Sequence, residues 1–380
     1  MKIQSRLPEV GTSIFTVMSK MALVHQAINL SQGFPDFPVS EKLIDLIYQN
    51  MKAGHNQYAP MPGVPVLRKI IAEVIDKTYQ RSTDFETEIT ITAGGTEAIF
   101  STIAALVNQG DEVIMFDPAY DCYDPAIRLN GGVPIHINLK PPTFAIDWQE
   151  VKSKISSRTR MIMINTPHNP TGAVLTESDL LTLQEIALSN NLIVLSDEVY
   201  ERIIFDRLAH QSILKFPQLL AQSVAVFSFG KTFHATGWKV GYVVAPESIT
   251  REIRKTHQFV TFSVNTPTQF ALAEYMADSE NYLQLGKFYQ EKRDYFLEQI
   301  KNSSFEVLPC HGSYFQLLSY KGISQKRETE MAEWMTKEKK LAPIPVSAFY
   351  KDGSDQQLLR FCFAKGEQTL ERAGKILSAI

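Results

Sequence analysis

RMIMINTPHNPTGAVLTESDLLTLQEIALSNNLIVLSDE, residues 160–198, is the stretch that decides the fold. RMIMINT and NLIVLSDE are short apolar runs, and the segment SDLLTLQEIALSN between them has helical spacing, so the order is strand, helix, strand. The same rhythm extends outward in both directions. EITIT (88–92), DEVIMFD (111–117), SVAVFSF (223–229) and VGYVVAP (240–246) read as further buried strands, with GTEAIFSTIAALV (95–107) as a helix. Strands that alternate with helices imply an α/β fold with a mostly parallel central sheet covered on both faces.

Beyond about Asn265 the rhythm changes. TPTQFALAEYMADSENYLQLGKFYQEKRDYFLEQI (266–300) predicts one long helical connector, and SSFEVLPC, SYFQLLSY and QLLRFCFA after it suggest a smaller α+β unit. The first 40 residues lack the strand and helix rhythm and are expected to pack against that unit. The chain has 380 residues, beyond the roughly 250–300 at which one hydrophobic core stops growing. Two domains are therefore expected, a large one over 41–280 and a small one built from 1–40 with 281–380.

A hydrophobic content of 44% and a charged content of 21% describe an ordinary globular chain. The net charge of -3 carries no electrostatic footprint for nucleic acid or anionic membrane. Cys122, Cys310 and Cys362 have no paired spacing, so neither a disulfide framework nor a metal site is expected. MKIQSRLPEV at the N-terminus contains no apolar leader core. Small-molecule partners and a reducing, cytoplasmic setting are the expectation.

In open α/β sheets ligands sit beyond the carboxyl ends of the strands, and here each such end carries a distinct chemical group. ITA is followed by Gly94, Gly95 and Thr96, VIMFDPA by Tyr120, and MIMINTPH by Asn169. IVLSD ends on Asp197 with Tyr200 just after, and VFSFG brackets Ser228 and Lys231. A lone lysine is usually a solvated surface charge. Lys231 differs because Ser228 lies three residues before it and Lys239 eight after it, which suits an amine that sheds its proton to attack a carbonyl. Asp197, ending so apolar a run, is either a helix cap or a functional carboxylate. Gly95 and Thr96 at a helix start can bind an anion. Asn169 in HNPTG is a turn residue that can also aim its amide at a ligand. Tyr120 reads as core or as a stacking ring.

Two other motifs overlap Lys231. A P-loop would need glycine where Ala225 stands, and the Ser228–Lys231 pair of penicillin-recognising enzymes lacks its K-T-G companion.

Seven motifs together, NLSQGFPDF, QYAPMPGVPVLR, ITAGGTEA, NTPHNPTG, SDEVY, SFGKTFHATGWKVGY and LLRFCFAK, span nearly the whole chain. In content, order and spacing they resemble the fold-type I aminotransferases of classes I and II. More narrowly, the chain is similar to the bacterial methionine aminotransferases and to the kynurenine aminotransferase and glutamine transaminase K group. The resemblance implies pyridoxal 5′-phosphate (PLP) as cofactor, with Lys231 as its Schiff-base lysine and Asp197 on the pyridine nitrogen. Asn169 and Tyr200 would hydrogen-bond the ring hydroxyl, and Tyr120 would stack on the ring. Gly95, Thr96, Ser228 and Lys239 would hold the phosphate, with Tyr58 reaching over from the second subunit of a homodimer. Lys239 stands where many relatives carry arginine. Arg360 would clamp the substrate α-carboxylate, Gly33 would leave room beside it, and Phe15 would line the side-chain pocket. The implied reaction is transamination between a neutral hydrophobic or aromatic amino acid, methionine first, and a 2-oxo acid. The alternative is a kynurenine or glutamine aminotransferase with β-lyase activity on cysteine conjugates. A transcription regulator built on this fold would need a helix-turn-helix, for which the residues before Gly33 are too few.

Overall fold

A computed structural model describes residues 3–380; the first two residues of the segment 1–40 lie outside it. The chain starts with a helix, Ile14–Val24, whose cap is Ser13, and a two-residue strand β1 (Ile28–Asn29). The central strands follow as β2 (Ile89–Thr92), β3 (Glu112–Asp117), β4 (Val133–Asn138), β5 (Thr159–Asn165), β6 (Ile193–Asp197), β7 (Ser223–Ser228) and β8 (Gly241–Val244). They form one seven-stranded sheet in the order β2-β8-β7-β6-β5-β3-β4. All neighbours are parallel except β8, which runs antiparallel to β2 and β7.

Both faces of the sheet are buried by alternation along each strand. Ile114 and Phe116 of β3 pack into one hydrophobic cluster with Ile162 and Ile164 of β5. Val113 and Met115 pack into another with Met161 and Met163. A period of two across a sheet covered on both sides explains why these strands are apolar throughout.

The rest of the chain supplies β9 (Glu306–Val307), β10 (Phe315–Ser319), β11 (Leu341–Ala342), β12 (Ile344–Pro345) and β13 (Leu358–Cys362). An antiparallel sheet joins four of them in the order β12-β13-β10-β9, and β11 pairs in parallel with β1. A third hydrophobic cluster lies around this sheet and includes Met18 of the first helix, Tyr289, Phe296, Phe315 and Leu370.

Two elements differ from the sequence reading. β4 is absent from it: this is an edge strand, half exposed and containing Pro134, a residue that an edge tolerates because its missing N–H is needed by no neighbour. The predicted long helix over 266–300 is three helices, Thr266–Met276, Glu280–Leu283 and Leu285–Ile300. The break falls at Asp278, whose carboxylate accepts from the backbone N–H of Glu280 and competes with the helical ladder. No helix among the described residues is long and apolar enough to cross a membrane.

Candidate active site

The carboxyl ends of β3, β5, β6 and β7 open into one cavity, bordered on its far side by the turn before β8. At one end lies the start of the helix Gly94–Leu106. Gly94 has φ +80, a left-handed conformation that costs glycine nothing, and the N–H groups of Gly95 and Thr96 follow it without helical partners. A Cβ added to Gly94 would lie 3.5 Å from Lys239 Nζ, so an ammonium stands directly beside the helix start. Ser228, the N-cap of the short helix Phe229–Thr232, lines the same end. A helix N-terminus, a hydroxyl and an ammonium together suit a phosphate dianion.

Across the cavity, Lys231 Nζ donates to Tyr314 Oη at 3.0 Å and lies 3.5 Å from the Gly33 carbonyl oxygen. Tyr314 in turn donates to that carbonyl at 2.6 Å. Burial pulls the Lys231 ammonium down to about 8; the charges of Lys239 and Arg360 act in the same direction, against Asp197 and Cys362. A lysine so placed reaches its neutral, nucleophilic form close to neutrality.

Asp197 at the end of β6 is 4% exposed. Tyr123 donates to its Oδ2 at 2.5 Å, the Val199 N–H to its Oδ1 at 3.3 Å, and Asn165 to its carbonyl oxygen at 2.9 Å. Burial pushes the Asp197 carboxyl up to about 6, while the bonds from Tyr123 and Val199 act against it. An acceptor this buried calls for a cationic or hydrogen-bonding partner from the cavity side. Tyr120 lines the cavity with its hydroxyl 3.5 Å from Thr96 Oγ1, and Tyr200 packs edge-on to Tyr314 at 5.1 Å between ring centres.

Arg360 is fully buried on β13. Its Nη1 donates to Asn169 Oδ1 at 2.9 Å and its Nη2 to the Ser31 carbonyl at 2.8 Å, while Nε has no partner among the described residues. The guanidinium lies 3.9 Å from the centre of the Phe315 ring and 5.2 Å from those of Phe15 and Phe349. Gly33 has a specific steric reason: a Cβ there would come within 2.7 Å of the Phe315 ring that supports Arg360.

The residues singled out at the strand ends thus converge on one cavity. Arg360 and Gly33 stand next to it, joined to Asn169 and Lys231 of its lining, and Phe15 lies against the Arg360 guanidinium. Tyr58 does not join them within one chain. It is 83% exposed and packs edge-on to Phe262 at 5.4 Å. Three residues in or bonded to the site escape the sequence reading. Asn165 ends β5 and answers to the same strand-end rule that picks Asn169. Tyr123 follows Tyr120 by three residues in a short helix, where it reads as core. Tyr314 leads into a fully buried strand, where it reads as a core aromatic.

The geometry has known counterparts. The model of the family "Aminotransferase class I and II" matches residues 25–377. Methionine aminotransferase of Escherichia coli is 49% identical over 98% of this chain and 97% of its own length. Human kynurenine–oxoglutarate transaminase 3 is 33% identical over 98% of this chain and 89% of its own. The crystal structure of YbdL from Escherichia coli, reported with a methionine aminotransferase function, superposes with a TM-score of 0.98 at 48% identity and covers all of both chains. A family match over nearly the full length, on a cavity that gathers a half-buried lysine, a buried aspartate and a helix start suited to an anion, leaves one conclusion: the chain belongs to the class I and II aminotransferases, enzymes that depend on pyridoxal 5′-phosphate.

Proposed function

We propose that the chain transfers the amino group of a neutral amino acid with a long or aromatic side chain, methionine foremost, to a 2-oxo acid. The observation that carries this reading is the surround of Arg360: one buried guanidinium with a free Nε, walled by the rings of Phe15, Phe315 and Phe349. A carboxylate pairs best with such a fork, which assigns Arg360 to the substrate α-carboxylate and leaves aromatic surface for the side chain. No second arginine stands between Arg254 and Arg293, the stretch where the resemblance would place one to grip a side-chain carboxylate. Arg254 itself is committed to the Ile89 carbonyl and the Thr90 hydroxyl. A dicarboxylate would bury an unpaired charge at a cost of several kcal/mol. An unbranched thioether fits the space and makes favourable contacts with ring edges. The likeness to methionine aminotransferase of Escherichia coli over 98% of the chain supports the same substrate.

The lining of the cavity supports pyridoxal 5′-phosphate as its occupant. Gly95, Thr96, Ser228 and Lys239 would take the phosphate, Asp197 the pyridine nitrogen, Asn169 and Tyr200 the ring hydroxyl, and Tyr120 the ring face. The cofactor, when bound, supplies an electron sink for the carbanion at the substrate α-carbon. Asp197, held by Tyr123 and Val199, would face the pyridine nitrogen as an ionised carboxylate and so keep that sink effective. Lys231 would hold the cofactor covalently and, as a free amine, would take the proton from the substrate α-carbon as general base. Tyr314 and the Gly33 carbonyl hold its amine at the mouth of the pocket, within reach of the Arg360 side. Tyr58 completes the phosphate site of a second copy in a homodimer. Its support is a shallow groove that Met51 and Tyr58 share with residues 263–267, where the side chains of Met51, Tyr58 and the adjoining Phe262 are all exposed, an apolar surface of the kind that marks an interface.

The deciding experiment measures kcat/KM for methionine, phenylalanine, glutamine, kynurenine and aspartate with one common acceptor. Methionine is expected first and aspartate last. Aspartate ahead of methionine defeats the substrate assignment, and kynurenine ahead of methionine replaces it with the kynurenine-type one.

A further inference from the structure

A second cavity of about 200 Å³ lies next to the first, at the carboxyl ends of β3 and β5. Its mouth is between residues 143–146 and 173–176, where Thr143, Ala145 and Thr176 are exposed. Its inner wall is apolar, formed by Phe116, Leu139, Phe144, Met163 and Ile164. Transamination as described above makes no use of this space.

One buried polar group faces the cavity without a partner. His168 is only 7% exposed, and its Nδ1 shares a hydrogen bond with Thr171 Oγ1 at 2.7 Å. Nε2 has no partner among the described residues, so it is the polar atom that His168 offers to the cavity. Nε2 is not sealed in the protein but open to the cavity, so on an otherwise apolar wall it is the polar point at which a ligand would be oriented.

The chemistry of the walls selects the ligand. Apolar surface on most sides calls for a hydrocarbon or aromatic body. Burial pulls the imidazole down to about 4, so at neutral pH it has no charge to attract an anion. The Asp179 carboxylate at the mouth, already bonded to Trp148 and Thr176, repels one. The Thr171 hydroxyl can rotate to support either imidazole tautomer, so Nε2 either gives or takes a hydrogen bond. A hydroxyl group, which does both, suits it in either state.

We infer that this cavity binds a small neutral molecule of the phenol or apolar-alcohol class, held through His168 Nε2, and that its occupancy is felt at Asp197. The route is short. Asn165 lines both cavities, donates to the Asp197 carbonyl at 2.9 Å and accepts the Asn169 N–H at 2.8 Å. Tyr123, on the wall of the second cavity, holds the Asp197 carboxylate at 2.5 Å.

The test titrates the holoenzyme with phenol by calorimetry, with benzoate as the charged control, and repeats the titration on Val174→Phe. Val174 lines the mouth and takes no part in the cofactor site. Saturable binding of one phenol per chain is expected, weakened about tenfold or more in Val174→Phe because the added ring takes the space the ligand needs. The variant should still transaminate methionine, and benzoate should not compete with phenol. Bound phenol should also shift the visible absorbance of the holoenzyme. Absence of saturable binding, equal binding by Val174→Phe, or displacement by benzoate overturns the site, and an unchanged spectrum at saturation overturns the coupling to Asp197. Should Val174→Phe fail to fold, a crystal of the unaltered holoenzyme soaked in 4-bromophenol decides the location. Bromine signal in this cavity supports the site; bromine only elsewhere refutes it.

Discussion

Tyr123→Phe removes one hydroxyl from behind the cofactor cavity and leaves the ring that fills the space. That hydroxyl donates to Asp197 Oδ2 at 2.5 Å, with both residues buried. A hydrogen bond to a charged group contributes about 1.5–3 kcal/mol. At 1.36 kcal/mol for each pKa unit, its loss raises the Asp197 pKa by roughly 1–2 units. The direction follows from the causes: burial already pushes this carboxyl up to about 6, and Tyr123 is the strongest group acting against it. Removing Tyr123 therefore increases the protonated fraction at neutral pH. A protonated Asp197 cannot keep a proton on the pyridine nitrogen, so activity follows the ionised fraction, which at pH 7 falls from about nine-tenths to between about a half and a tenth as the pKa moves from about 6 to about 7–8. The expected result is a fall in kcat/KM for methionine of about 2- to 10-fold at pH 7. The acid limb of the pH profile should move roughly 1–2 units upward, with partial recovery at higher pH. The assay is steady-state kinetics from about pH 5.5 to about pH 9 on protein whose cofactor content is checked by absorbance. A rate within about twofold of the unaltered enzyme, with the acid limb unmoved, refutes the reasoning.

Lys231→Ala is expected to lose transamination yet retain cofactor non-covalently, because the phosphate contacts lie on other residues; borohydride reduction of the unaltered enzyme should label Lys231, and label on Lys239 contradicts the assignment. Tyr58→Ala should weaken cofactor retention while changing the stability of the isolated chain by no more than about 0.5 kcal/mol, since the side chain is 83% exposed. A fully active monomer would end the shared-site proposal. His136 lies between Asp117 and Asp124: burial alone would lower its pKa, but the hydrogen bonds to the two carboxylates outweigh it and raise the value to about 9. A histidine whose folded pKa is raised adds stability that is complete below its unfolded value of about 6.5 and fades as pH climbs through about 9. His136→Gln should accordingly lower the thermal midpoint at about pH 6 and leave it nearly unchanged at about pH 10, and equal losses at both would show that the charge is irrelevant.

The fold is legible in the sequence wherever burial is two-sided. β3, β5, β6, β7 and β8 are apolar along their length because both faces are covered, and the polar residue closing such a run stands out. For that reason the amino-acid order alone is enough to gather Lys231, Asp197 and Asn169 around one cavity. β4 stays hidden because an edge strand is half solvated, and Gly131, Gly132 and Pro134 read as a loop. The helix break at Asp278 is hidden because a side-chain bond to the backbone leaves no trace in hydrophobic spacing. Tyr123 and Tyr314 escape for a related reason. A tyrosine in a buried segment looks like any core aromatic, and only the partner of its hydroxyl reveals the difference. Gly33 reads as room for a substrate carboxylate, whereas its nearest obstacle to a side chain is the Phe315 ring.

The parallel pairing of β1 with β11 has a bearing on how the enzyme is made. Arg360 reaches the Ser31 carbonyl across a sequence separation of 329 residues, and Tyr314 reaches Gly33 across 281. On the ribosome Arg6 and Glu9 can meet Leu129 and Arg128 early, but residues 28–33 find their partners only when nearly the whole polypeptide has been translated. The central sheet, whose strands lie between residues 89 and 244, can assemble long before that moment. The surround of Arg360 is thus the last part of the molecule to be completed, and a product cut short before β13 would carry Lys231 and the helix start at Gly94 but not the guanidinium proposed to grip the amino acid. Nascent-chain force or protease-protection profiles should place the docking of residues 28–33 at the very end of synthesis.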